Sequence, residues 1–126
     1  MQATEFKVSL IGESGSGKSA FVEKLIFGHP IIHSDGRKYT LGVDVSPYDY
    51  TYENNKFRLN LWDCAGDNRY LGLGKNYISE SALVMIFGNN KEEFESWITN
   101  NTPTIYVNSH EELNVIMNKI ISALHN

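Results

Sequence analysis

Phe6-Lys7-Val8-Ser9-Leu10-Ile11-Gly12-Glu13-Ser14-Gly15-Ser16-Gly17-Lys18-Ser19-Ala20-Phe21-Val22 runs from an apolar strand-like segment through a glycine-rich loop into a helix-like one. Residues 12–19 fit G-x-x-x-x-G-K-[ST], the pattern of a phosphate-binding loop, and the strand before and helix after are the setting that pattern requires. The glycines let the backbone curl until its N–H groups surround a β-phosphate, and the following helix adds the positive end of its dipole. On this reading Glu13, Ser14, Gly15, Ser16 and Gly17, with Lys18, Ser19 and Ala20 of the first helical turn, cradle a nucleotide's phosphates. Lys18 bridges the β- and γ-phosphates. Ser19 offers its hydroxyl to Mg²⁺, a hard cation that prefers oxygen. A glycine-rich turn that binds nothing is the competing reading, and the flanking strand and helix weigh against it.

Outward from the loop, strand-like and helix-like patterns alternate. Strands are expected at about 5–11, 43–52, 57–63, 82–88 and 103–108, and helices at about 18–27, 91–99 and 111–124. Such alternation predicts an α/β fold, a mostly parallel sheet with helices on both faces, built as a single domain over 1–126. Residues 43–52 alternate and contain Pro47, which confines them to a sheet edge. Ala82-Leu83-Val84-Met85-Ile86-Phe87 is apolar throughout, as a strand covered on both faces must be. Glu53-Asn54-Asn55-Lys56 reads as a hairpin turn. Leu113, Ile116, Ile120, Ile121 and Leu124 share a helix face and read as core packing.

With 11 Lys and Arg against 15 Asp and Glu, the net charge is −4 and no basic cluster is present. That balance argues against direct contact with nucleic acid or an anionic membrane. Cys64 is the only cysteine, so no disulfide framework exists, and the expected setting is intracellular, cytoplasmic or nuclear. Neither a secretory leader nor a lipidation motif is read at the termini, so no membrane anchor is expected.

The second chemical landmark is Leu59-Asn60-Leu61-Trp62-Asp63-Cys64-Ala65-Gly66-Asp67-Asn68-Arg69-Tyr70. An acid at the end of an apolar strand beside a phosphate loop can hold a Mg²⁺-bound water, and a glycine just after it can offer its N–H to a γ-phosphate. This stretch resembles D-x-A-G-Q-E-[KR]-[FY] of the Ras superfamily of small GTPases. Lys38-Tyr39-Thr40-Leu41-Gly42-Val43-Asp44-Val45-Ser46-Pro47 is similar to the first switch of the Ran branch, and Tyr70-Leu71-Gly72-Leu73-Gly74-Lys75-Asn76-Tyr77-Ile78 to its second switch. The resemblance covers about residues 5 to 100. It implies a minimal P-loop GTPase fold of about five strands that binds GTP or GDP with Mg²⁺. It also implies a metal set of Ser19, Thr40 and Asp63, and Thr40 and Gly66 as the switch contacts to the γ-phosphate. Protein partners reading the switches would be an effector, an exchange factor or a transport factor.

Three departures from that family modify the expectation. Asp67 stands where the family has the glutamine that orients the attacking water, so the catalytic position holds a carboxylate that cannot donate when ionised and repels phosphate oxygens. Hydrolysis is therefore expected to be slow. No Phe or Tyr occurs in Gly28-His29-Pro30-Ile31-Ile32-His33, where the family stacks a ring on guanine. The guanine-reading Asn-Lys-x-Asp is also missing. Asn108-Ser109-His110-Glu111 either is a degraded form of it, with Asn108 and Ser109 near the base, Ser109 in place of the lysine and Glu111 at the aspartate position, or its Asn108-Ser109-His110 corresponds to the family's later Ser-Ala-Lys loop after loss of a strand–helix unit. Either way base recognition is expected to be weak. A nucleotide-free mimic that keeps only the switch surface is the alternative function, and a small-molecule kinase is disfavoured because only Arg37, Arg58 and Arg69 are present.

Overall fold

Four consecutive residues with no exposure to solvent, Val8, Ser9, Leu10 and Ile11, mark the segment that the rest of the chain surrounds. The computed structural model describes residues 3–13, 15–28, 43–64, 78–89, 91–98, 101–108 and 110–125. Its elements are β1 (Thr4–Gly12), α1 (Lys18–Phe27), β2 (Val43–Tyr52), β3 (Asn55–Cys64), β4 (Leu83–Phe87), α2 (Lys91–Glu95), β5 (Thr104–Val107) and α3 (Leu113–His125). The strands form one sheet in the order β2-β3-β1-β4-β5. β1 runs parallel to both β3 and β4, β5 is parallel to β4, and only β2 is antiparallel, to β3. This is the mostly parallel five-stranded α/β sheet that the alternation of segments predicts.

The two faces follow from the period-two alternation of strand side chains. Val8, Leu10, Leu59, Leu61, Leu83, Met85 and Phe87 turn to one face and pack against Phe21 and Val22 of α1 and Ile116 and Ile120 of α3. Ile11, Cys64, Val84 and Ile86 turn to the other, where Phe94 and Trp97 cover them. β4 is buried along its whole length, which accounts for its unbroken apolar sequence. On α3, Leu113, Met117 and Leu124 complete the packing stripe. Ile121, expected in that stripe, is half-buried and stands at its border, one turn beyond Met117.

Differences from the expected boundaries have local causes. The hairpin turn narrows to Glu53 and Asn54, with φ of 48° and 66°, because a two-residue turn matching the twist of its strands needs positive φ at both central positions. Asn55 then already pairs with Tyr52. α2 ends at Glu95, before the expected 99, because Trp97 N–H bonds to Phe94 O and Ile98 N–H to Glu95 O. Those three-residue spacings tighten the last turn. α3 begins at Leu113, two residues late, because Glu111 is engaged in a turn of its own described below. Pro47 sits on edge strand β2, opposite Asn60.

The end of the sheet away from the glycine-rich loop is closed by an aromatic cluster. The His125 ring stacks on Tyr52 at 4.1 Å between centroids and meets Phe57 edge-on at 4.6 Å. His125 Nε2 and the Tyr50 hydroxyl share a hydrogen bond of 2.6 Å. These contacts fix the last turn of α3 over β1, β2 and β3. Aromatic pairs and a hydrogen bond of this kind together contribute about 1–3 kcal/mol. His125→Ala is therefore expected to lower stability in urea denaturation by about that amount, and Tyr50→Phe by about 1 kcal/mol. An unchanged midpoint in both variants would show that the cluster does not anchor α3.

Candidate functional site

β1 delivers the glycine-rich loop to the carboxyl end of the sheet, between β3 and β4, where open α/β sheets bind ligands. The exit is sterically demanding. A Cβ on Gly12 would lie 2.5 Å from the Phe87 carbonyl oxygen of β4, so only glycine lets the chain leave so close to its neighbour. Within the loop Ser16 N–H bonds to Glu13 O at 3.1 Å. Gly17, at φ 104°, turns the backbone into α1, and Phe21 N–H to Gly17 O at 2.9 Å is the first helical bond there. The N–H groups ahead of it have no acceptor within the helix, which is what makes a helix start an anion site.

Lys18 is buried, with 6% of its surface exposed. Its ammonium donates to Gly12 O at 2.8 Å and Glu13 O at 3.0 Å. Burial pushes its pKa below the ordinary lysine value, while the negative charges of Asp63 and, more weakly, Glu13 work in the other direction. The loop thus wraps a desolvated cation.

Beside it, the pairing of Leu10 with Asp63 places that carboxylate at the end of β3 level with the end of β1, and Ser19 Oγ donates to Asp63 Oδ2 at 2.5 Å. Two hard oxygen donors side by side at a phosphate-type loop suit Mg²⁺. Among the described residues no cluster of three or more His, Cys, Asp or Glu gathers to hold a metal.

Of the residues singled out in the sequence, Glu13, Gly15, Ser16, Gly17, Lys18, Ser19 and Ala20 lie in the loop and helix start after β1, and Asp63 joins them through Ser19. Ser14, Thr40, Gly66, Asp67 and Ser109 lie outside the described residues. Asn108 lies at the carboxyl end of β5, with β4 between it and β1. There its N–H donates to Glu111 Oε1 at 2.8 Å, while Glu111 N–H donates back to Asn108 O at 3.1 Å. Glu111 Oε2 also meets Lys119 Nζ at 2.6 Å. The Lys119 contact, with the Asn108 N–H second, holds the Glu111 carboxyl below its usual pKa.

Two features were missed in the sequence. The Glu13 side chain accepts the Asn89 N–H at 3.3 Å and so ties the loop to the turn after β4. The reciprocal bonding of Asn108 and Glu111 had a visible signal, because N-x-x-E ahead of a helix is the pattern of a capping box.

A family model described as Ras of Complex, Roc, domain of DAPkinase matches residues 7–120 of the 126. The chain belongs to this family. Its fold is accordingly that of a P-loop GTPase of the Ras superfamily, and the chain is a GTP-binding, small GTPase-like switch domain. The match names the Ras-of-complex domain and not the Ran branch that the switch segments resemble. No helix among the described residues is long and apolar enough to cross a membrane.

Cys64, next to Asp63, gives a test of the burial on which this site depends. Removal from water pushes its thiol up to about 12, with the Asp63 charge adding to the effect. The reactive thiolate is therefore nearly absent at pH 8. Alkylation of the folded chain at pH 8 is expected to be at least about a thousandfold slower than that of an unperturbed cysteine, and to become fast on unfolding. Rapid labelling of the native protein would show that the end of β3 is open to solvent.

Proposed function

From a domain of the Ras-of-complex family, we propose a nucleotide-dependent switch that grips phosphates firmly and reads its base weakly. The observation that carries this is the buried ammonium of Lys18, held by Gly12 O and Glu13 O, beside the Ser19–Asp63 hydrogen bond. Backbone N–H groups of residues 13–20 bind the β-phosphate, Lys18 bridges β- and γ-oxygens, and Ser19, Thr40 and Asp63 serve the cation. When bound, Mg²⁺ supplies the charge that offsets the clustered phosphate oxygens. Thr40 and Gly66 respond to the γ-phosphate, and a protein partner reads the segments that carry them. The Ran-type strings at 38–47 and 70–78 are the segments such an effector, exchange factor or transport factor would contact. We place this cycle inside the cell, where GTP is available.

Weak base recognition rests on Glu111. A carboxylate that reads guanine must face the ring with both oxygens free, whereas here one oxygen holds the Asn108 N–H and the other Lys119. Hydrogen bonds to a charged acceptor contribute about 1.5–3 kcal/mol each, so their loss forfeits roughly one to three orders of magnitude in discrimination. Asn108 and Ser109 remain to line the base side. Hydrolysis is slow because Asp67 cannot donate toward the γ-phosphate as a glutamine amide does.

Titration with GDP, GTP and ATP tests the reading. Expected are affinities no tighter than about micromolar, GTP preferred over ATP by less than about a hundredfold, and a ten- to a hundredfold loss in Lys18→Ala. Equal affinity in Lys18→Ala and the parent would remove the site assignment. Failure of every nucleotide to bind would leave the alternative, a mimic that presents the switch surface without a nucleotide cycle.

Single-turnover hydrolysis of GTP is expected at or below about 10⁻⁴ s⁻¹ and should rise in Asp67→Gln. A fall on that substitution would instead make Asp67 a base.

A further inference from the structure

Among the described residues β5 is the last strand of the sheet, beyond β4. Val84 N–H bonds to Pro103 O at 2.9 Å and Gly88 N–H to Val107 O at 3.3 Å. Residues 103, 105 and 107 therefore turn their backbone groups to β4, and by the two-residue repeat of a strand Thr104 and Tyr106 turn theirs outward. A row of outward N–H and C=O groups is a template for another strand. The opposite edge, β2, contains Pro47, which has no N–H to offer. Thr104–Val107 contains no proline, and side chains of the chain itself meet the Tyr106 carbonyl and, just past the strand, the Asn108 N–H. Lys119 of α3 donates to the Tyr106 carbonyl at 3.0 Å and pairs with Glu111 at 2.6 Å, and Glu111 accepts the Asn108 N–H at 2.8 Å. Two side chains thus fill two successive outward positions. On the α2 side, the Tyr106 hydroxyl donates to Glu95 at 2.9 Å and the Lys91 ammonium lies 5.1 Å from the Tyr106 ring centre, which keeps the strand in one orientation.

We propose that Glu111 and Lys119 form an edge latch, which closes β5 against strand addition and keeps the chain monomeric, and that the partner fitting the opened edge is a second copy of this chain. β5 paired antiparallel with β5 about a two-fold axis sets the outward groups of Thr104 and Tyr106 opposite the same groups of the other copy, a self-complementary match. Lys119 disrupts that match by occupying the Tyr106 acceptor and placing a charged side chain across the edge, one of the ways edge strands are blunted.

The test is solution molar mass by light scattering over a concentration series. The parent is expected to keep the mass of one chain, and Lys119→Ala to move toward twice that mass as concentration rises. Adding Thr104→Pro to Lys119→Ala should restore the single-chain mass, because that position faces away from β4 and proline removes an outward N–H without breaking the sheet. A dimeric parent, a Lys119→Ala variant that stays monomeric with a native circular dichroism spectrum, or a dimer that survives Thr104→Pro would each overturn the proposal. Amide hydrogen exchange in the parent needs no variant. Asn108 is expected to exchange at least about tenfold more slowly than an unbonded amide, and unprotected exchange there would mean that the latch is not closed.

Discussion

The structure depends on the passage of β1 through the middle of the sheet and its exit at Gly12. With parallel partners on both edges and side chains covered on both faces, the strand from Val8 to Ile11 is fixed in register on each side. The loop that follows inherits that fixed position. The Phe87 carbonyl allows no side chain at Gly12, so β4 sets the direction in which the loop departs, and β3 sets the place of Asp63 relative to it. A phosphate loop borne on an edge strand would lack one of these two walls.

From that position follows an electrostatic arrangement that a flexible loop could not maintain. An isolated ammonium in a buried setting costs several kcal/mol unless it is paired and hydrogen-bonded. Lys18 is both, through the carbonyls of Gly12 and Glu13 and the nearby Asp63. The charge is thus already removed from bulk water before any ligand arrives. Electrostatic attraction to an anion is stronger from such a site than from a solvated surface lysine, and the groups need little reordering to use it.

The parts of the fold legible in the sequence were those governed by local pattern. The five strands and the edge position of residues 43–52 follow from apolar runs, one proline and one turn, and the loop from its glycines and Lys18. Helix ends were less legible because tertiary bonds decide them: α3 starts at Leu113 because Glu111 is bound to Asn108 and Lys119. Ile121, half-buried at the border of the α3 stripe, shows the same limit, since periodicity defines a stripe while packing decides how deeply residues at its border are covered. At the site, Glu13 was legible as a loop residue, but the tie from its side chain to Asn89, 76 positions along the chain, belongs to the tertiary structure and left no mark in the sequence.

The centre of the sheet and its β5 edge are secured by different means. The glycine-rich loop and the carboxylate beside it draw their rigidity from β1, which is paired along both edges, and from β3. At the edge of the sheet lies β5, a four-residue strand with a single neighbour among the described residues. A short edge strand has few ladder bonds of its own, so its carboxyl end must be held by side chains. Glu111 and Lys119 do this: Glu111 accepts the Asn108 N–H and pairs with Lys119, which donates to the Tyr106 carbonyl. In this chain one side-chain pair thus secures both the last carbonyl of the edge strand and the turn that leads into α3.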